Sequence, residues 1–150
     1  MLNEVKSRLA RKNYKTFLTA VLLAAVLMGS VYAQKNSIKD VTPNKHALEN
    51  LVAGIHSDNT GVKRSAIYFA GKYRIAETEE ALIAQLKNEN DPSTRILIAI
   101  VLYEMGSEEG LLEVKDLSMR DKDAKVRRMA AQIYNEYLVN DSNATAFVTE

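Results

Sequence analysis

Three short stretches decide the fold of this chain: N-T-G-V-K at 59–63, D-P-S-T-R at 91–95 and D-A-K-V-R at 123–127. They recur at equal intervals, and in each one an Asn or Asp precedes a basic residue by four positions. Counted from that basic residue, the positions three, four, six and seven residues later are apolar. The three sets are Ala66, Ile67, Phe69 and Ala70; Ile98, Ala99, Val101 and Leu102; and Ala130, Ala131, Ile133 and Tyr134. This spacing places apolar side chains on one face of a helix. A fixed period within about 20–50 residues predicts a stack of helical repeats.

A second amphipathic segment precedes each of these helices, and no stretch shows the alternation that is typical of strands. The sequence predicts six helices over about 44–57, 60–72, 78–90, 92–105, 109–120 and 123–139. Asp91 before Pro92 predicts a helix start, because Pro is tolerated at the first helical position. Gly71 and Gly106 are predicted to end second helices in the left-handed conformation. The predicted fold is therefore an all-α superhelix of about three helical hairpins.

The pattern L-x-x-L, a turn Asp and then R-x-x-A-A-x-x-L resembles HEAT-like repeats, especially the short kind named after phycobilisome lyases. The resemblance covers residues 44–139. It implies that first helices line an outer convex face and second helices an inner concave face. It also implies that the turn Asp and the following Arg of successive repeats form a ladder of structural contacts between the repeats. Four residues correspond to this ladder, and in the first repeat Asn59 and Lys63 take the places of the Asp and the Arg. The four are Asp91, Asp123, Arg95 and Arg127.

Residues 1–33 have the pattern of a secretory signal peptide. A segment with five basic residues precedes the apolar run Phe17–Met28, and Val31 and Ala33 fit a cleavage site before Gln34. The alternative is an uncleaved anchor from Phe17 to Ala33, although the apolar run is short for a span of about 20 residues. Either reading predicts export, to a bacterial periplasm or the extracellular space. The rest is predicted to be a flexible lead-in at 34–43, a repeat domain at 44–139 and a flexible tail at 140–150.

Composition argues against most kinds of chemistry. The chain has no Cys, which excludes disulfides, thiolate metal sites and a Cys nucleophile. Without residues 1–33 it has 15 basic and 18 acidic residues, a net charge of −3, and therefore no basic surplus for nucleic acid. The two His do not form the paired His-Glu dipeptides of di-iron HEAT-like hydroxylases, because Ala47 follows His46 and Ser57 follows His56. We therefore expect no catalytic residue, no metal and no cofactor.

The predicted helix 92–105 is apolar nearly all round, whereas a helix on a solvated surface needs a polar stripe. Helical geometry predicts that seven residues of the second helices face solvent. They comprise two apolar residues at the centre, two residues on its flanks and three charged residues at the rim. They are Leu97 and Ile100; Tyr68 and Met129; and Lys72, Glu104 and Glu136. This mixture is typical of a protein interface. The alternative is that concave curvature, the 34–43 segment or the C-terminal tail covers the stripe.

Three functional hypotheses follow. The first is a non-enzymatic exported scaffold or adaptor that binds a protein partner through these residues. The second is a homo-oligomeric structural protein that uses the same stripe. The third is a lyase-like enzyme subunit, against which the export signal argues. We expect the chain to be attached to a membrane only if the leader is uncleaved.

Overall fold

The computed structural model describes residues 34–146. The predicted signal peptide, residues 1–33, lies outside the described residues. Seven α-helices form in the described range, and a turn of 3-10 helix, Ala76–Thr78, precedes the fourth. The helices are α1 Ile38–Val41, α2 Ala47–Ile55, α3 Thr60–Lys72, α4 Glu79–Asn88, α5 Pro92–Glu104, α6 Glu108–Arg120 and α7 Ala124–Ala146.

The helices pair as three hairpins, α2–α3, α4–α5 and α6–α7, which stack in chain order. The second helices contact one another, α3 with α5 and α5 with α7, and the first helices do the same more weakly. The predicted all-α solenoid of three hairpins is therefore confirmed. No helix of residues 34–146 is both long enough and apolar enough to cross a membrane.

The start of each second helix has the same physical cause. The side chains of Asn59, Asp91 and Asp123 accept hydrogen bonds from N–H groups two or three residues later, at 2.7–3.1 Å. These bonds satisfy the free N–H groups of the first helical turn. The fixed interval between the repeated motifs is therefore the interval between helix caps.

The two glycines at the ends of second helices have different roles. Gly106 has φ 63°, as predicted for a residue that ends a helix in the left-handed conformation. The prediction for Gly71 is wrong, since Gly71 lies within α3 and the left-handed residue after that helix is Arg74, with φ 49°. A Cβ at Gly71 would lie 2.7 Å from Cγ2 of Val101. Gly71 is therefore required for the close approach of α3 to α5.

Helix α5 is the centre of the core. Ile98, Val101 and Leu102 belong to a cluster shared with the first hairpin and α4, whereas Ala99 packs in a second cluster with α6 and α7. A helix with neighbours on two sides needs apolar residues on two faces. The stacking therefore explains most of the apolar character of α5.

The lead-in is not a loose segment as predicted. The N–H of Asn36 donates to the carbonyl of Arg74 at 2.9 Å, and the carbonyl of Asn36 accepts from the N–H of Ala76 at 2.9 Å. Ser37 caps the short helix α1, and Ile38 is buried. The buried isoleucine and the backbone pairing attach this segment to the end of the first hairpin.

The last helix continues past residue 139, where the sequence prediction ended it. No Gly or Pro interrupts residues 124–146, and α7 runs to Ala146. The side-chain amide of Asn140 donates to the hydroxyl of Tyr103 on α5 at 2.9 Å. The part of the predicted tail that the structure describes, 140–146, is helical because nothing in its sequence breaks the helix and a contact holds its first turn.

Candidate protein-binding surface

Buried ion pairs between hairpins fix the positions of the second helices. Lys63 Nζ on α3 lies 2.9 Å from Glu89 Oε2. One repeat later, Arg95 Nε on α5 lies 2.7 Å from Asp121 Oδ2, and both side chains are about 95% buried. The guanidinium of Arg95 also donates to the carbonyls of residues 89 and 90. Each guanidinium nitrogen therefore has a partner, as a buried charge requires.

The ladder implied by the resemblance therefore has other acidic partners. Asp91 and Asp123 cap helices, whereas the carboxylates paired with basic residues are Glu89 and Asp121, two residues earlier. The equivalent residue of the first repeat is Ser57, whose hydroxyl accepts from the N–H of Asn59 at 3.2 Å. Glu89 and Asp121 make the same contact with the N–H two residues on. The three positions are structurally equivalent, and only the first is not acidic.

Arg127 is the third basic residue of the ladder and lacks the acidic half of the pair. Its Nη1 donates to the carbonyls of Asp121 and Lys122, at 2.7 and 3.3 Å. These are the contacts that Arg95 makes one repeat earlier. Within residues 34–146, no carboxylate forms an ion pair with Arg127. In the last described repeat, Arg127 therefore keeps the carbonyl contacts of Arg95 but, among residues 34–146, not the ion pair.

Glu89 is the carboxylate most changed by these contacts. Burial disfavours its charged form, but hydrogen bonds from the N–H of Asp91, from Lys63 and from Gln85 outweigh burial. Together they lower the pKa of Glu89 from 4.5 to about 2. Since its partners are all structural, Glu89 stabilises the junction of the first two hairpins and is not a candidate for acid–base chemistry.

A depression of about 610 Å³ lies between α3 and α5 on the side of the second helices. It contains five of the seven residues that the sequence singled out. They are Tyr68, Lys72, Leu97, Ile100 and Glu104. Gly71 and Val101 complete its apolar floor. We call this site the α3–α5 depression.

Its apolar side chains differ in accessibility. Tyr68 is 59% exposed and Ile100 is 36% exposed, whereas Leu97 is half-buried against the core. A partner could therefore cover Tyr68 and Ile100 without disturbing the core, whereas a change at Leu97 would also affect packing.

Charged residues form the rim. Nζ of Lys72 lies 5.4 Å from the centroid of the Tyr73 ring. Nη2 of Arg74 lies 3.9 Å from Oε2 of Glu104. Sequence reasoning missed Arg74, because the left-handed turn that places it here has no Gly to signal it. The rim thus carries both signs of charge around an apolar centre.

The structure does not bring the other two predicted residues to this depression. Met129 is half-buried on α7, one repeat away. Glu136 is exposed and accepts a hydrogen bond from Asn140 at 3.4 Å. The structure therefore brings five of the seven predicted residues together in one depression formed by two helices.

The 34–43 segment is one of the parts of the chain that could cover the predicted stripe. Gln34 and Asn36 lie at the edge of the α3–α5 depression. They border it and leave Tyr68 and Ile100 exposed. The 34–43 segment therefore forms part of its wall.

The histidines have ordinary partners. Nδ1 of His46 lies 3.3 Å from Oε2 of Glu49 at the exposed start of α2. Nδ1 of His56 lies 2.9 Å from Oε1 of Gln85. Among residues 34–146, no three His, Asp or Glu side chains lie close enough together to hold a metal ion.

Comparison with known proteins agrees with the architecture. A family profile described as HEAT repeats matches residues 48–135, more than half of the chain. Comparisons with curated proteins and with solved structures give no significant match. HEAT repeats are commonly protein-interaction scaffolds and are generally not enzymes. On this match and the stacked hairpins, the chain belongs to the HEAT repeat family.

Proposed function

We propose that this chain is an exported, non-enzymatic scaffold that binds a protein partner through the α3–α5 depression. One observation carries the proposal: Tyr68 and Ile100, on different helices, expose apolar surface in the same depression. Exposed apolar surface that folding has not used is typical of binding sites.

The composition of the depression indicates what it would bind. Its centre is apolar and its rim carries Lys72, Arg74 and Glu104. A buried apolar centre within a polar rim is the common arrangement of protein interfaces, and aromatic residues frequently dominate their energy. The expected partner segment has one or two apolar side chains that pack on Tyr68 and Ile100, with polar groups on either side.

Export and repeat type are parts of the same proposal. The sequence of residues 1–33 supports a signal peptide cleaved after Ala33 and a periplasmic or extracellular location in a bacterium. The short, fixed interval between repeats supports the lyase-type subgroup in architecture, and we propose no lyase activity. After cleavage, the chain would begin at Gln34, at the edge of the α3–α5 depression.

The test compares three single substitutions in the protein purified after expression of the full chain. Tyr68→Glu and Ile100→Glu place a charge in the depression. Leu112→Glu places the same charge on α6, where the side chain is 62% exposed and outside the depression. Leu97 is left unchanged because it packs against the core.

Each protein serves as bait for cross-linked capture from the envelope and secreted fractions of the host, with the helical circular dichroism as a folding control. The proposal predicts one specific partner with the native bait and with Leu112→Glu, and its loss with the two depression variants. A partner captured equally by all four baits would contradict the proposal. A product that contains only this chain, lost with Ile100→Glu, would support the homo-oligomeric hypothesis instead.

A further inference from the structure

The N-terminal end of the stack carries a second apolar surface. The equal spacing of the repeats makes three positions of α3 equivalent to three of α5 and of α7. The equivalent sets are Val62, Ala66 and Phe69; Thr94, Ile98 and Val101; and Val126, Ala130 and Ile133. In α5 and α7 all of these residues are at least 91% buried, because the preceding second helix covers them. No described second helix precedes α3, and there Val62 is 50% and Phe69 is 37% exposed.

These side chains border a groove of about 690 Å³ between α2 and α3. Leu51 and Gly54 of α2 form its other wall, and Ile38 and Thr42 close one end. None of the lining residues is charged. We call this surface the N-terminal face. Since the equivalent surfaces of the other two hairpins are covered by a helix, the N-terminal face fits a helix.

The opposite end of the stack is a poor partner for this face. In a head-to-tail stack of two copies, Arg127 of one copy would take the place that Lys63 and Arg95 occupy inside the chain. The position that should supply its carboxylate is Ser57 of the next copy, which has only a hydroxyl. A guanidinium buried without a carboxylate is strongly unfavourable. Ser57 therefore argues against an open, head-to-tail filament.

We propose that the N-terminal face binds the same face of a second copy, in a dimer with twofold symmetry. A twofold interface brings each patch against itself, so it must be self-complementary. The lining of the N-terminal face is uncharged, so the face meets its copy without like-charge repulsion. Phe69 and Val62 supply the apolar area that the pairing buries.

The dimer leaves the site of the proposed function open. Tyr68 and Phe69 are consecutive on α3, but Tyr68 borders the α3–α5 depression and Phe69 borders the N-terminal face. A dimer through the N-terminal face would present two such depressions. Two linked sites bind a repetitive partner more tightly than one site does.

The test measures mass in solution by sedimentation equilibrium, on protein purified after expression of the full chain, with its first residue determined by mass spectrometry. Four proteins are compared: native, Val62→Glu/Phe69→Glu, Ile100→Glu and Leu112→Glu. Both substituted N-terminal residues are partly exposed, so a monomeric variant with native circular dichroism is expected. We expect dimerisation to weaken about a hundredfold or more in the double variant, as for loss of interface hot spots. Ile100→Glu and Leu112→Glu are expected to dimerise like the native protein.

A single-cysteine variant gives a second readout that does not depend on destabilising the dimer. The chain has no Cys, so Val62→Cys and Leu112→Cys each carry one thiol. A short bismaleimide should link two copies through residue 62 and not through residue 112. A native protein that is monomeric at high concentration would overturn the proposal. A dimer lost with Ile100→Glu and kept by the Val62/Phe69 variant would also overturn it, and would assign dimerisation to the α3–α5 depression.

Discussion

The two ends of the helical stack differ although they are built from the same repeat. At the N-terminal end, Val62 and Phe69 keep the apolar residues of an internal junction and are exposed, and Ser57 replaces the acidic residue. At the C-terminal end, Arg127 keeps the basic residue of the ladder and binds the carbonyls of its own turn. Equivalent positions thus pack or form ion pairs inside the stack, whereas at its ends Val62 and Phe69 are exposed and Arg127 binds only carbonyls among residues 34–146.

The largest expected difference between an internal position and a terminal one concerns the ladder arginines. Arg95→Met removes one partner of a buried ion pair and leaves the Asp121 carboxylate unpaired, so we expect a loss of about 3–5 kcal/mol in the free energy of unfolding. Arg127→Met removes only hydrogen bonds to carbonyls, and we expect about 1 kcal/mol. Urea unfolding followed by circular dichroism measures both. Equal losses of unfolding free energy in the two variants would show that the ion pair with Asp121 adds nothing to the contribution of Arg95.

Acid should weaken the first junction through Glu89. Because the pKa of Glu89 is about 2 in the folded chain and 4.5 ordinarily, its contribution is complete above pH 4.5 and is lost as the pH falls toward 2. The full contribution is on the order of 3 kcal/mol.

The measurement is the unfolding free energy of the native protein and of Glu89→Gln between pH 7 and pH 2. The gap between the two proteins should narrow as the pH falls, because protonation of Glu89 gives a neutral side chain like that of Gln. Ser57→Glu at the N-terminal end should have a smaller pH-dependent effect, since it would keep the hydrogen bond from the N–H of Asn59 but would lack the basic partner that Lys63 provides for Glu89. A gap that stays constant with pH would contradict the assignment of Glu89.

The smallest effect in the series compares two valines at equivalent positions. Val126 is 1% exposed under α5, whereas Val62 is 50% exposed on the N-terminal face. Val126→Ala removes two buried methyl groups and should lower the unfolding free energy by about 2 kcal/mol. Val62→Ala should change it by less than about 0.5 kcal/mol in the monomer. Both variants are measured at a concentration at which the chain is monomeric. In the proposed dimer, Val62→Ala would also weaken the interface and so lower the unfolding free energy further.

Much of the fold could be predicted from the sequence because the signals are local. Caps at Asn59, Asp91 and Asp123 and the apolar spacing after them depend on residues within one or two turns, and the six predicted helices correspond to α2–α7. The acidic partners of the ladder could not be predicted in this way, since Glu89 and Asp121 precede the repeated motif and pair across hairpins. The role of Gly71 was missed for the same reason, because Val101 lies on another helix.

The candidate site could be predicted in part. Helical spacing identified Tyr68, Leu97 and Ile100 as neighbours, and the structure places them in one depression. Spacing could not limit the stripe to two helices or place Gln34 and Arg74 at its edge, since both depend on the path of the chain between elements. The N-terminal face was missed because Val62 and Phe69 have the pattern of core residues, and only the stacking leaves them exposed.

Cross-linking from neighbouring positions of α3 tests the account most directly. A photoreactive phenylalanine analogue would replace Tyr68, Phe69 or, as a control, Leu112, one at a time, in cells that express the full chain. The account predicts a product with a second, different protein from position 68, a product of two copies from position 69, and neither from position 112. Two results would contradict the claim that the α3–α5 depression binds a protein partner. One is that the analogue at position 68 gives no more cross-linked product than the control at position 112, and the other is that it gives only the product of two copies.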